Sequence, residues 1–268
     1  MQTRTYTPVQ YALITMVQLT EDLKPKRGLP PLASLDDSAA AFVGARAEAD
    51  AALKAKIAEL KAAAGEGTLT VESVVDKDVD PEGKHVLERL SMEEGTMFYR
   101  TSFMPKEINT NKTIFGGHLL SWMEGAARTT AKVFSRIAHV YVIGMSDMIF
   151  RTPIFVGDFV EAKCTVVYVR KHALVIDVSV SVERAKDGTT LHSHSGTFTV
   201  CTLDPSGFRA KIPVQLDLEN ASQDELFAYA AAKVSYEHWV LDPEFEHARV
   251  PENYNAPWPI TPIKPFQP

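Results

Sequence analysis

Apolar and polar residues alternate along LVIDVSVSV, residues 174–182. That is the two-residue period of a strand with one buried face. Comparable runs at 96–104 (TMFYRTSFM), 139–151, 156–170 and 189–203 predict further strands, the 174–182 run lying within a strand over 172–184. Ala185-Lys186-Asp187-Gly188 supplies the turn chemistry of a hairpin between the last two. Between the first and second strands the period lengthens. Leu119, Leu120, Met123, Ala127, Ala131 and Phe134 mark one stripe of a helix that follows Gly117 and runs to about Ile137. An opening strand, one helix and four more strands predict an α+β unit over residues 94–216, a helix wrapped by a single antiparallel sheet.

The flanks follow other patterns. Residues 9–19 (VQYALITMVQL) predict one buried strand, followed by a turn-rich loop. Residues 36–64 predict a long Ala-rich helix, with Asp36, Asp37 or Ser38 as its cap and Gly65 as its stop. Its stripe of Phe42, Val43, Leu53, Ile57 and Leu60 is thin, which places it on a surface. A mixed linker with Asp80-Pro81 leads into the core. Ser222 and Glu225 form a capping box that opens a second Ala-rich helix, to about Trp239, expected like the first to be exposed. Seven prolines interleaved with Tyr254, Trp258 and Phe266 predict an extended strap over 241–268. The chain thus divides into 1–35, 36–93, 94–216, 217–240 and 241–268. Residues 12–32 and 196–216 share an order of strand, turn, basic residue and proline, each followed by an Ala-rich helix. One reading makes the N-terminus the end of a truncated first copy of the core, completed by another chain because a lone edge strand invites pairing. The other is a chance match of two strand-turn-helix units.

Composition narrows the partners. A formal net charge of −6 over 268 residues argues against nucleic acid as the main partner. No apolar run is long enough for a membrane span. Cys164 and Cys201 lie in apolar, strand-like runs and read as buried free thiols of a reducing compartment. MQTRTYTPVQ at the start lacks acidic residues and carries one Arg, a trace of an organelle-targeting segment.

The chemistry concentrates in residues 105–127, PKEINTNKTIFGGHLLSWMEGAA. Gly116 and Gly117 at a helix start admit close approach of another backbone or a ligand carbonyl. The first amides of that helix point outward and can bind an oxyanion, which suits chemistry on an acyl group. Glu124 lies on the same helical face seven residues after Gly117. Its carboxylate either activates water or pairs with Arg128 four residues on. Asn109 and Asn111 orient substrate or water, or shape the loop. Thr113 can hold a water but has no useful basicity. Glu107 reads as solvated and His118 as a first-turn residue. His192 and His194, two apart on one strand, are expected on the same side, but no third ligand accompanies them and no metal site is predicted. Arg170, Lys171 and His172 occupy a turn between strands, either solvated or suited to a pyrophosphate. Asp158 shapes the turn at Gly157-Asp158.

The ordered set Asn109-Thr110-Asn111, Ile114-Phe115-Gly116-Gly117, Trp122-Met123-Glu124-Gly125-Ala126-Ala127, Phe150, Pro153, Val156-Gly157-Asp158 and Thr197-Phe198-Thr199-Val200 resembles the hotdog-fold acyl-CoA thioesterases across roughly 94–215. The nearest likeness is to the second unit of the mitochondrial tandem-hotdog type. That resemblance implies a hotdog fold, pairing of two units with the site between them, and hydrolysis of an acyl-CoA without a covalent Ser or Cys nucleophile. It implies oxyanion donors at Gly116 and Gly117, a water-activating carboxylate or amide drawn from Glu124, Asn109, Asn111 and Thr113, and CoA phosphates near Arg170, Lys171 and His172. CoA enters as substrate, and no cofactor is implied. Related enzymes carry Asp or Asn where this chain has Thr113. That departure opens a second reading, a catalytically inactive hotdog subunit serving as a structural or assembly component of a large complex. A dehydratase or acyl-carrier-binding hotdog is a third, for which His118 is poorly placed. The implied partner is another hotdog chain or a second copy of this one, and the implied location is mitochondrial, otherwise cytoplasmic.

Overall fold

The computed structural model describes residues 37–75 and 86–240. The expected strand at 9–19, the Asp80-Pro81 linker and the proline-rich segment 241–268 lie outside the described residues, as do the cap and the Phe42 and Val43 side chains of the first helix. The elements in chain order are α1 (Asp37–Gly65), a one-turn α2 (Val71–Val74), β1 (Glu88–Leu90), β2 (Thr96–Thr101), a 3-10 turn (Pro105–Glu107) and α3 (Gly116–Ser135). Then come β3 (His139–Phe150), β4 (Phe159–Arg170), β5 (Ala173–Glu183), β6 (Thr190–Leu203), β7 (Val214–Leu216) and α4 (Gln223–Val240).

Five antiparallel strands form one sheet in the order β2-β4-β5-β6-β3. On the face toward α3, the strands contribute Val160, Ala162, Cys164, Val166, Ile176, Val178, Val180, Phe198 and Val200, all essentially inaccessible. The helix answers with Leu119, Met123, Ala126, Ala127, Ala131 and Phe134. Its stripe includes three alanines, so the axis lies close to the curved sheet. This is the hotdog fold. The short β1 and β7 form a separate parallel pair that periodicity over three residues could not signal.

The outer face of the sheet departs from expectation. Beyond a bulge between Val166 and Tyr168, β4 is buried on both faces from Val167 to Val169. The cover is α4, whose Tyr229 and Tyr236 rings stand 5.2 and 5.6 Å from Tyr168. α1 in turn packs on α4; Leu53 on it is buried, and Leu60, Ala63 and Ala64 pack at the margin of the core. The second Ala-rich helix is therefore not exposed. It is an interior layer between α1 and the sheet, and Leu226, Tyr229, Ala230, Ala232 and Tyr236 are buried. A helix apolar on opposite sides shows no one-sided stripe. The layer is pinned where Gln223 pairs with both backbone groups of Leu69, at 3.2 and 3.0 Å, and where Lys233 Nζ donates to Val74 O at 3.1 Å. Ser222 and Glu225 cap α4 reciprocally, with Ser222 N to Glu225 Oε2 at 2.8 Å and Glu225 N to Ser222 Oγ at 3.3 Å. Among the described residues, no helix is long and apolar enough to cross a membrane.

Candidate active site

The loop before α3 is built by its own side chains. Asn109 accepts from the amides of Asn111 and Thr113, at 2.8 and 3.2 Å, and donates through Nδ2 to Thr113 Oγ1 at 2.9 Å. Its side chain is thus committed to shaping the loop, and Asn111 is exposed. Glu107 is not simply solvated, because its carboxylate accepts from Met104 N at 2.6 Å and closes the 3-10 turn. Its carbonyl accepts from Phe115 N at 2.8 Å, and Ile114 N donates to Ile154 O at 2.9 Å. These bonds hold the residues just before α3 on two sides. On the far side, Asp158 is buried, paired with Arg184, and bonded to Phe155 N at 2.9 Å. That pair fixes the loop that carries Ile154.

Helix α3 begins at Phe115, whose side chain makes no capping hydrogen bond. His118 N and Leu119 N both turn back to Phe115 O, at 3.0 and 3.3 Å. The amides of Gly116 and Gly117 have no acceptor among the described residues. Two adjacent donors without an acceptor, at the positive end of a 20-residue helix, are an arrangement able to bind an oxyanion.

Two phenyl rings bracket this pair. The Phe115 ring lies over Gly117, so close that a Cβ there would come within 2.4 Å of Cε1. The Phe150 ring would stand 3.7 Å from a Cβ at Gly116. Both rings are about half exposed. Phe115 and Phe150 were not singled out as site residues by sequence. The available signal was an apolar residue at a helix cap, where Ser or Asp is the norm.

Glu124 projects from α3 beside Arg128, 3.6 Å away, in a groove shared with Lys132 and His139–Val142. It lies about 10 Å along the axis from Gly117, and side chains on a helix lean toward its N-terminus. Of the two alternatives read from the sequence, the ion pair with Arg128 is observed; the groove that Glu124 borders is walled by the start of β3, toward the strand end away from Phe150.

Arg170, Lys171 and His172 sit at the other end of the sheet. The row Arg170–Ala173–Cys201–Tyr141 marks that end, whereas Phe150 beside Gly116 marks this one. Along β3 the two are roughly 25–30 Å apart at strand rise. Arg170 leans toward Glu237 at 3.9 Å. Burial, with Arg209 and Lys171 adding to it, lowers the pKa of His172. Arg209 and Lys211, both exposed, extend the same cationic end.

His192 and His194 do not share a side. Ser193 bulges out of the β5–β6 ladder, so His192 pairs with Ser181 and His194 with Val180, which point to opposite faces. Among the described residues, no group of three His, Cys, Asp or Glu is placed to hold a metal ion. Cys164 is buried and its thiol is pushed up to about 12, which leaves it unreactive at neutral pH, whereas Cys201 is only partly covered.

Residues 111–189 match the family model described as Thioesterase superfamily. The chain is 31% identical over 127 residues to the acyl-CoA thioester hydrolase YciA of Salmonella typhimurium, covering 46% of this chain and 93% of that protein. The YciA of Escherichia coli K12 is 30% identical over the same length. Among solved structures, an apo-hexameric acyl-CoA thioesterase superposes with a TM-score of 0.51 at 20% identity, covering 57% of this chain and 96% of that one.

Proposed function

Because this chain belongs to the thioesterase superfamily, as a hotdog-fold relative of the acyl-CoA thioester hydrolases, we propose that it hydrolyses fatty acyl-CoA to a free fatty acid and CoA. The observation that carries this reading is the pair of acceptor-free amides at Gly116 and Gly117. The thioester carbonyl oxygen sits against them. Water adds to the carbonyl carbon, the resulting oxyanion is held by the two amides, and the C–S bond breaks to release CoA. Glu124 takes the proton of the attacking water and returns it to the departing thiolate. Thr113, already accepting from Asn109 Nδ2, donates its hydroxyl proton to orient that water. Asn111, on the exposed rim of the loop, contacts substrate. No cofactor takes part.

The site is completed by a second copy. Among the described residues β3 is an edge strand bonded only to β6, and Tyr141, Ile143, Met145, Ile149 and Phe150 on it are exposed. Antiparallel pairing of two β3 strands covers them and sets the Arg170–Lys171–His172 end of one copy beside the Gly116 end of the other, where cations meet the CoA phosphates. A different hotdog chain, completing the expected N-terminal strand, is the alternative occupant of that edge. Mitochondrial residence is part of the proposal and is checked by import of the full chain into isolated mitochondria.

The test follows CoA release from acyl-CoAs of graded length. Turnover by the wild-type chain, with kcat lowered about a hundredfold or more in Glu124→Gln at little change in KM, supports the reading. Thr113, in place of a carboxylate or amide, favours a second reading in which the subunit keeps the fold without turnover and serves as an assembly component. Absence of CoA release at every chain length, with stable membership of a large complex, selects that reading.

A further inference from the structure

Among the buried titratable side chains that the proposed chemistry does not use, His194 lies against the ring beside Gly116. His194 is 6% exposed, on the α3 side of β6, directly across the ladder from Phe150. The two rings meet edge-on, with centroids 4.9 Å apart and planes at 82°. The imidazole is also tethered. Ser193 Oγ donates to Thr152 O at 2.7 Å, so with that proton committed it is His194 Nδ1–H that donates to Ser193 Oγ. Ser193 O accepts from Arg151 N and Thr152 N at 2.9 and 3.2 Å. The ring is therefore fastened to the segment that directly follows Phe150. Burial, with the charge of His192 adding to it, pushes the His194 pKa down to about 4, which keeps the imidazole neutral beside an apolar partner at pH 7.

An imidazole in this place costs desolvation that Leu or Phe would not. Core filling alone does not call for it. What the tethered ring supplies is a fixed wall against Phe150, and Phe150 is the ring that lies against Gly116. An aliphatic side chain with free rotamers would let the phenyl retract.

We propose that His194 is a positioning residue acting through Phe150, holding that ring against Gly116 so that it limits the room an acyl chain finds beside the Gly116 and Gly117 amides, and with it the chain length the site accepts. This rests on the thioester reading, and the experiment separates the two. Kinetic constants are measured from acetyl-CoA to palmitoyl-CoA for the wild type, His194→Ala, His194→Asn and His194→Phe, with Phe150→Ala as the limiting case. His194→Ala is expected to raise the long-to-short ratio of kcat/KM by about tenfold, mainly through KM for the long chains. His194→Asn, which keeps a donor for Ser193 but no ring, follows His194→Ala and replaces it if that variant does not fold. His194→Phe restores the ring and returns the profile toward wild type.

The second readout needs no turnover. In protein labelled with 4-fluorophenylalanine, the Phe150 resonance is identified by its loss in Phe150→Leu. It is expected to move in His194→Ala or His194→Asn and to return in His194→Phe. If the wild type hydrolyses no acyl-CoA, the thioester reading fails while the fluorine signal still decides whether His194 holds Phe150. An unmoved Phe150 resonance, or an unchanged chain-length profile in a folded and active ring-less variant, overturns the proposal.

Discussion

A phenylalanine at the cap of a helix wastes stability. Ser, Asp, Asn or Thr there would accept a hydrogen bond from the second or third amide, and substituting such a cap away costs about 1 kcal/mol. Here Phe115 occupies the cap, and the amides of Gly116 and Gly117 are left open. A functional anion site and a capped helix cannot both be had from the same donors, so the poor cap is a cost consistent with function. Phe115→Asp is therefore expected to raise stability by about 1 kcal/mol, through the new cap and a carboxylate at the positive helix end. It is expected to lower kcat about a hundredfold, because the acceptor that caps the helix occupies an oxyanion donor. Urea unfolding and acyl-CoA turnover on the same preparation check both signs. A variant that gains stability and keeps full turnover would detach these amides from the chemistry. Residue by residue, the sequence reading found the donors and the candidate carboxylate but not their bracket. Gly116, Gly117 and Glu124 are exceptional residue types for their positions, whereas Phe115 and Phe150 look like ordinary apolar residues until the fold brings both against the glycines.

At the scale of elements, the outer layer is an addition to the helix-in-sheet unit. α1 is Ala-, Lys- and Glu-rich on its open side and reaches the rest of the molecule through a narrow stripe, Leu60, Ala63 and Ala64 with the buried Leu53, and through the turn after the helix. Its docking is expected to be separable from the sheet. Leu53→Ala combined with Gln223→Ala removes one buried side chain and two hydrogen bonds. A loss of about 3 kcal/mol in the docking of α1 is the estimate, from roughly 2 for the truncation and about 1 for the bonds. Hydrogen exchange should then quicken along α1 and on the outer face of α4, with the amides of β4, β5 and β6 still protected. Uniform quickening across the sheet would mean that the layers fold as one unit. β6, most of β4 and β5, and α3 were legible because each has one dry face there, and a single dry face writes a period into the sequence. α4 was recognised as a helix by its capping box but was misplaced on the surface, because a helix covered on two sides carries no one-sided stripe. The opposite facing of His192 and His194 was hidden for a related reason: a bulge at Ser193 inverts the two-residue alternation locally and leaves no mark in the residue types.

At the scale of the molecule, the described residues leave one edge of the sheet uncovered. β3 is 12 residues long, pairs with β6 on one side, and exposes Tyr141, Ile143, Met145, Ile149 and Phe150. Lone proteins often blunt such an edge with lysines or prolines, and neither stands within this strand. A second copy satisfies the edge with its own identical strand, run antiparallel about a two-fold axis. That symmetry has a chemical consequence. Because β3 starts at the cationic sheet end and finishes beside Gly116, reversing one copy brings each copy's Lys171 and His172 toward the other's free amides, about 15 Å away across three strand spacings. Each site would then draw its oxyanion donors and Glu124 from one copy and its phosphate cations from the other. Mixing two crippled chains tests this directly. In homodimers, Glu124→Gln spoils every site, and Lys171→Glu with His172→Glu spoils every site at substrate levels below KM. In a mixed dimer one site collects both defects and the other collects neither. Since mixed dimers make up about half of an equilibrated equimolar mixture and carry one sound site in two, recovery of about a quarter of wild-type activity is expected. An additional Ile143→Lys with Met145→Lys in both chains should abolish the recovery and leave monomers in sedimentation velocity. Two chains that stay inactive together while sedimenting as dimers would instead place the donors and the cations of each site within a single copy.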